Sequence, residues 1–262
     1  VSACMQFMLG PLSSANDYIT EQLRRIHPFV LVACAVGGTA VYLQRTLSRP
    51  QKRAVQKKPL TPADYDALDK LIARDPFVIV TGRDADGDTH ISHTPILYKR
   101  NGSEIVIEGH WAKGNPLAKM DGDEVVVVVR GPHAYISASW YPDVHTKPQV
   151  PTWNYAMAHL FGRLELVHDE KTKADSVDRL SQYFENVYEG DWQFDYDNVG
   201  HRRKLPYITA FRLHVTRVDV KLKVGQNDPA ATNAAVADRL EQRGSLEQKE
   251  TAALMRAAVK KN

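Results

Sequence analysis

At 262 residues, 43% hydrophobic and 25% charged, the chain has the make-up of a soluble globular protein with material for a sizeable core. Its two cysteines, Cys4 and Cys34, precede the region that reads as folded, which excludes a disulfide framework or a Cys-rich zinc site and fits a reducing compartment, the cytoplasm. The net charge of +3 hides an asymmetry: residues 1–60 hold eight Lys and Arg against Asp17 and Glu21, which leaves −3 for residues 61–262, so the folded part lacks the basic balance that direct DNA binding draws on.

Residues 28–43 carry no charge and lie between Arg24 and Arg25 on one side and Arg45, Arg49, Lys52, Arg53, Lys57 and Lys58 on the other. This stretch reads as a membrane tether, or else as an uncleaved signal or an extension outside the fold. A spanning helix needs ~20 apolar residues, and Gly37-Gly38 weakens a helix. If the segment spans, the larger positive charge downstream puts the main domain in the cytoplasm. Residues 44–60 are polar and basic with Pro50 and Pro59, a linker, so the chain divides into an extension over 1–58 and a folded domain over 59–262.

The domain opens with Thr61 as N-cap, Pro62 at the first helical position and Asp64 at the third, and Tyr65, Leu68, Leu71 and Ile72 share one helical face before Pro76 ends the helix. Strands are predicted at about 76–82, 88–98, 103–108, 124–130, 134–139 and 157–167, with turns at Asp84-Ala-Asp-Gly-Asp and Asn101-Gly102. The five consecutive valines of 125–129 read as a strand buried on both faces. So many strands joined by short turns favour an antiparallel barrel or strongly curved sheet over a parallel α/β fold. A helix with Ala174, Val177, Leu180 and Phe184 on one face follows, then an aromatic loop through Trp192, Phe194 and Tyr196, and a strand over 208–224. Asp228-Pro229 opens a helix ended by Gly244, and Ser245 with Gln248 makes a capping box for the last one, to about Lys260.

Three clusters between Glu108 and Gly162 exceed what packing asks for: Gly-His-Trp-Ala-Lys-Gly-Asn-Pro at 109–116, Gly-Pro-His-Ala-Tyr-Ile-Ser-Ala-Ser-Trp-Tyr at 131–141, and Val-Pro-Thr-Trp-Asn-Tyr at 150–155. A flavin mononucleotide needs cations and N–H donors for its phosphate, a flat wall for its ring and amides for the ring edge. Lys113 with the Gly114-Asn115 backbone suits the phosphate, His110 is a nearby donor, and Trp140, Trp153 and Asn154 suit the ring and its edge. The competing reading makes Trp111, Trp140 and Trp153 packing residues and has His110 and His133 bonding loop backbone. His90 and His93 point to opposite faces of a strand, which argues against a metal site. Ser137 and Ser139 lack the strand-turn-helix setting of a nucleophile, and no glycine-rich phosphate loop is present.

With His-Thr-Pro at 93–95 and Lys-Leu-Lys-Val-Gly-Gln-Asn at 221–227, these clusters resemble the PaiB family of FMN-binding negative transcriptional regulators, over residues 60 to 245. The resemblance implies a mainly β fold with peripheral helices (α+β), the antiparallel split β-barrel of the pyridoxamine-phosphate-oxidase type, usually a homodimer with the flavin near the subunit interface. It adds Gln226 to the cofactor-binding set. Lys113-Gly114 stands where the family has Arg-Ala, which keeps the cation, and Gly225 stands where it has Ser. Two further readings stay open: a flavin-dependent oxidoreductase of the pyridoxamine-phosphate-oxidase type, and a haem-binding or haem-degrading relative using His110 or His133.

Overall fold

The structure, a computed structural model, describes residues 29–36, 39–46 and 59–259. The chain divides into two compact units, Val1–Lys58 and Pro59–Asn262. In the first, β1 (Phe29–Val36) and β2 (Thr39–Thr46) pair antiparallel, Phe29 opposite Thr46 and Val36 opposite Thr39. The described part of the apolar stretch is therefore paired strand rather than helix. Its β-branched residues suit strands, and Gly37-Gly38 between them is a hairpin signal as well as a helix breaker. Among the described residues no helix is long and apolar enough to cross a membrane, so a tether through residues 28–43 gains no support.

The second unit begins with helix α1 (Pro62–Arg74), capped as its sequence predicts: Asp64 N–H donates to Thr61 Oγ1, and the Asp64 carboxylate accepts from the Thr61 N–H at 2.8 Å. Seven antiparallel strands follow: β3 (Phe77–Arg83), β4 (Thr89–Pro95), β5 (Leu97–Asn101), β6 (Glu104–Ala112), β7 (Glu124–Ile136), β8 (Thr152–Val167) and β9 (Ile208–Lys223). Their order across the sheet is β4-β3-β7-β8-β9-β6-β5. Hydrogen bonds from Thr94 Oγ1 to the His110 carbonyl (3.0 Å) and from Asn115 Nδ2 to Ser92 Oγ (2.8 Å) bridge β4 to β6 and the turn after it, which curls the sheet into a barrel. Helices α2 (Glu170–Val187) and the short α3 (Val199–Arg202) precede β9, and α4 (Ala230–Arg243) and α5 (Leu246–Val259) follow it. The fold is thus mainly β with peripheral helices.

Several strand boundaries differ from the sequence reading, among them that of β6, expected to end at 108 and running on to Ala112. The predicted 88–98 strand breaks at Ile96, which is buried and bonds to the Pro76 carbonyl, giving β4 and β5. The predicted strands at 124–130 and 134–139 are one strand, because a bulge between Arg130 and His133 absorbs Gly131-Pro132 without ending it. The strand predicted at 157–167 begins at Thr152, so Trp153 and Asn154 sit in the sheet instead of a loop.

Along β7 the valines alternate. Val125, Val127 and Val129 are buried, while Val126 and Val128 on the outer face are only half-buried. Burial on both faces is therefore not reached within one protomer. The barrel core joins the inward valines to Leu160, Ile107, Leu213, and Leu68 and Leu71 of α1. Each such side chain contributes roughly 1.5–3 kcal/mol by leaving water. Trp111 and Phe211 stack there at 4.0 Å, and a Cβ on Gly109 would meet the Phe211 ring at 2.7 Å, so this strand position needs glycine. A second cluster, Ala134, Ile136, Val224, Val236, Leu240 and Met255, seats α4 and α5 on the far ends of β7 and β9.

Candidate functional site

The end of β6 carries the first candidate group. The turn after it is pinned from several sides: Lys113 N–H donates to the Tyr207 carbonyl (2.8 Å), Asn115 N–H to the Ala112 carbonyl (2.9 Å), and Asn115 Oδ1 accepts from Leu117 N–H (2.9 Å) to cap the 3-10 turn Pro116–Lys119. Lys113 is exposed, and no carboxylate partners its amine among the described residues. Both ends of the Asn115 side chain bond within this turn, since its Nδ2 also reaches Ser92, and they shape the corner.

His110 lies on the outward face of β6, two residues from Glu108 and so on the same side. Burial there pushes its imidazole pKa below the ordinary value, so the ring is neutral at pH 7. Glu108, also buried, accepts from Lys99 (3.1 Å), from Arg179 of α2 (3.1 Å) and from Arg212 of β9 (3.2 Å). Burial alone would raise its carboxyl pKa, but the Lys99 bond and the charges of Arg179 and Lys99 outweigh it and hold the group ionised below the usual glutamate range.

The second group gathers at the start of β8. Trp153 points outward and is 53% exposed, with Tyr135 edge-on at 6.1 Å and His133 tilted at 6.0 Å between ring centroids. His133 also bonds the Gly131 carbonyl at 3.3 Å, as the packing reading expected. Asn154, next along the strand, points inward by alternation and is buried. Its Nδ2 has no hydrogen-bond partner among the described residues. Near it, Gly225 adopts φ +70°, and a Cβ there would lie 3.0 Å from Asp228 Oδ2 and 3.8 Å from Asn154 Nδ2. Gln226 folds back on its own turn, accepting from Val224 N–H and donating to the Leu222 carbonyl, both at 3.0 Å. It lines one edge of a cleft of about 540 Å3 between α1 and α5, floored by Leu71, Ala156 and Leu222.

Trp140 belongs to neither group. It packs on the α4–α5 cluster with the Arg243 guanidinium 5.9 Å from its ring centre. The structure thus separates the seven residues: His110, Lys113 and Asn115 lie near the Ile208 end of β9, and Trp153, Asn154 and Gln226 near its Lys223 end. At ~3.3 Å per residue the strand between those ends has a contour on the order of 50 Å.

Measured against what FMN requires, Lys113, Trp153 and Asn154 keep a free cation, an exposed ring face and an unused amide donor, whereas Asn115 and Gln226 have spent their amides within the fold. Sequence reading passed over Arg203 and Lys204, which stand on the turn whose Tyr207 carbonyl accepts from Lys113 N–H. Their signal was the run His201-Arg202-Arg203-Lys204 in an otherwise acidic domain. Ser137 and Ser139 bond one another and no base, and no group of three or more His, Cys, Asp or Glu that could hold a metal occurs among the described residues.

The protein is 27% identical to Protease synthase and sporulation protein PAI 2 of Bacillus subtilis over 175 residues, 65% of this chain and 81% of that protein. It is 30% identical over 156 residues to Uncharacterized protein AN0679 of Emericella nidulans, covering 47% of this chain and 61% of the fungal one. A solved structure titled as the FAD and Heme binding protein from Mycobacterium smegmatis aligns at a TM-score of 0.44 with 21% identity, over 60% of this chain and 70% of that one. The family profile described as "Putative FMN-binding domain" matches residues 56–217, which takes in β3 to β8 and most of β9. The chain belongs to this FMN-binding family, and FMN is the cofactor that membership assigns to it.

Proposed function

We propose that the protein works as an FMN-binding homodimer, with the flavin held between two copies: Lys113 of one on the phosphate, Trp153 of the other toward the ring and, from the inner side of the same strand, the Asn154 amide toward the ring edge. The observation that carries this reading is the outer face of β3, β7 and β8. Register aligns two rows across the strands, Ile91-Thr81-Val126-Phe161-Arg217 and His93-Ile79-Val128-His159-Asp219. Ile91 is 65% exposed, and Ile79, Val126 and Val128 are half-buried, so an apolar strip crosses β4, β3 and β7 on a face that also carries Thr81, His93 and His159. A second copy of the same face would bury it, as isologous dimers do, and would supply the second-face burial that five consecutive valines call for. Pairing two copies also offers a route for site residues at opposite ends of β9 to meet.

FMN, when bound, supplies reversible acceptance of electrons at its ring. The chain's own residues anchor the phosphate, offer a flat surface and present one amide. The Bacillus relative is named for protease synthase and sporulation, and a regulatory role, the one that the family resemblance implies, is our first reading. Direct DNA contact is not its route: the domain carries net −3, and the α4–α5 pair mixes charges, Arg256 pairing with Asp238 and Glu241 at 2.6 Å. Flavin-dependent redox chemistry is the second reading, resting on the FMN that family membership assigns.

A visible spectrum of freshly purified protein and light scattering test cofactor and dimer together. Calorimetric titration then tests the site. Hydrogen bonds to charged groups contribute about 1.5–3 kcal/mol, so Lys113→Ala should weaken FMN by roughly 10- to 150-fold and leave riboflavin little changed. Equal losses for both ligands would show that Lys113 acts through folding.

A further inference from the structure

We infer that Arg203 and Lys204, on the turn before β9, complete with Lys113 a three-cation site for a phosphate monoester. The proposal rests on the FMN reading for the identity of the ligand but on its own geometry for the place. A ladder of backbone bonds fixes that place. The Tyr207 carbonyl accepts from Lys113 N–H at 2.8 Å, Tyr207 N–H donates to the Lys204 carbonyl at 3.1 Å, and Lys204 N–H to the His201 carbonyl at 3.0 Å. Lys113 and Lys204 are therefore each one backbone hydrogen bond from Tyr207. Arg203, adjacent to Lys204, lies on the same turn.

The turn itself is anchored. Leu205 is buried, and Lys173 of α2 reaches its carbonyl at 3.4 Å. Asn198 caps the short helix before it, accepting from Gly200 N–H at 2.8 Å. The cations stand on rigid backbone while their side chains stay in solvent.

The cluster differs from the ion-paired arginines of this domain. Arg74, Arg100, Arg179, Arg212 and Arg256 each bind a carboxylate within 3.3 Å. Lys113, Arg203 and Lys204 are exposed, with no carboxylate partner among the described residues. Three unpaired cations held on adjoining turns repel one another, and a dianion relieves that repulsion while accepting charge-assisted bonds. Arg203 can meet a phosphate with two N–H groups at once, which a lysine cannot. The Tyr207 ring, 72% exposed between the two turns, offers an aromatic face beside the cations and favours a phosphate carried on a ring system over the bare ion.

The test uses the full chain and three probes: FMN, riboflavin and inorganic phosphate. In the Arg203→Ala/Lys204→Ala double variant, FMN affinity should fall at least tenfold at low salt, riboflavin affinity should hold, and inorganic phosphate should compete with FMN on the wild type. The charge-keeping Arg203→Lys/Lys204→Arg protein should recover most of the loss, which a purely structural effect would not allow. FMN binding undiminished in the alanine variant would overturn the inference and leave Lys113 alone on the phosphate. Should the wild type bind no FMN, phosphorus NMR decides: inorganic phosphate broadened by the wild type but not by the variant keeps the site and removes the flavin, and no broadening by either removes both.

Discussion

On the side of the barrel that α2 covers, Glu108 gathers Lys99, Arg179 and Arg212 around one buried carboxylate, whereas on the side made by β3, β7 and β8 the outward positions are Ile79, Val126, Val128 and Phe161, half-buried at most. Both faces come from strands with the same two-residue alternation, yet one is closed by a helix of its own chain and the other is left apolar. A charged contact needs exact partners, which residues on one chain can supply in fixed geometry. An apolar face needs only another apolar face, which a second copy can supply. The difference separates what the chain closes by itself from what a second copy would cover in the proposed dimer.

Breaking the closed side should cost most. Glu108→Gln removes the anion shared by three cations and leaves Arg179 and Arg212 crowded without it. Breaking a buried pair typically costs 3–5 kcal/mol, and the partial solvent access of the cations puts this case near the low end, at about 3 kcal/mol, measurable by urea denaturation. The carboxyl pKa is lowered in the fold, so its stabilisation is complete above the ordinary value of 4.5 and is lost as pH falls through the depressed folded value. The variant should therefore lose less stability than wild type on acidification. A parallel acid-side slope in both proteins would mean the carboxylate adds nothing to folding.

The open side should answer differently. Val128→Lys places a charge at the middle of the apolar row and should change protomer folding by under about 1 kcal/mol, as surface substitutions do. Light scattering should nonetheless report half the mass of wild type with the far-ultraviolet dichroism unchanged. A dimer that survives Val128→Lys would move the interface elsewhere. As the smallest effect, Arg256→Ala cuts an exposed pair with Asp238 and Glu241 and should cost at most about 0.5 kcal/mol in the same urea experiment, despite contacts as short as any around Glu108. A loss near that of Glu108→Gln would mean that short contact, not burial, sets the strength of these ion pairs.

Much of the fold was legible because its signals are local. Thr61 and Asp64 cap α1, Ser245 and Gln248 bond as a capping box at the start of α5, and Gly244 ends α4 at φ +86°. Gly87 and Gly102 hold positive φ in the predicted hairpin turns. Each depends on residues at most a few positions apart, and the chemistry of a cap or a left-handed turn is written in the side chains themselves. The clusters at 109–116, 131–141 and 150–155 likewise announced themselves by composition, and they carried the family.

Tertiary structure alone decided which members of those clusters keep a free group. Asn115 and Gln226 look like ligand amides in sequence, but Ser92, Leu117, Val224 and Leu222 claim them. Trp140 faces α4 and α5, while Trp153, in a strand whose start the sequence placed five residues late, faces solvent. The neighbourhood of Lys113, Arg203 and Lys204 rests on a hydrogen bond between β6 and the turn before β9, far apart in the chain. Sequence by itself determined most strands and the caps, because periodicity and turn chemistry act over short range, while its motifs carried the family and the cofactor class through resemblance. The fold decided sidedness, which side chains bond within the fold, and the nearness of the turn after β6 to the turn before β9, because these depend on register and barrel closure that no local pattern encodes.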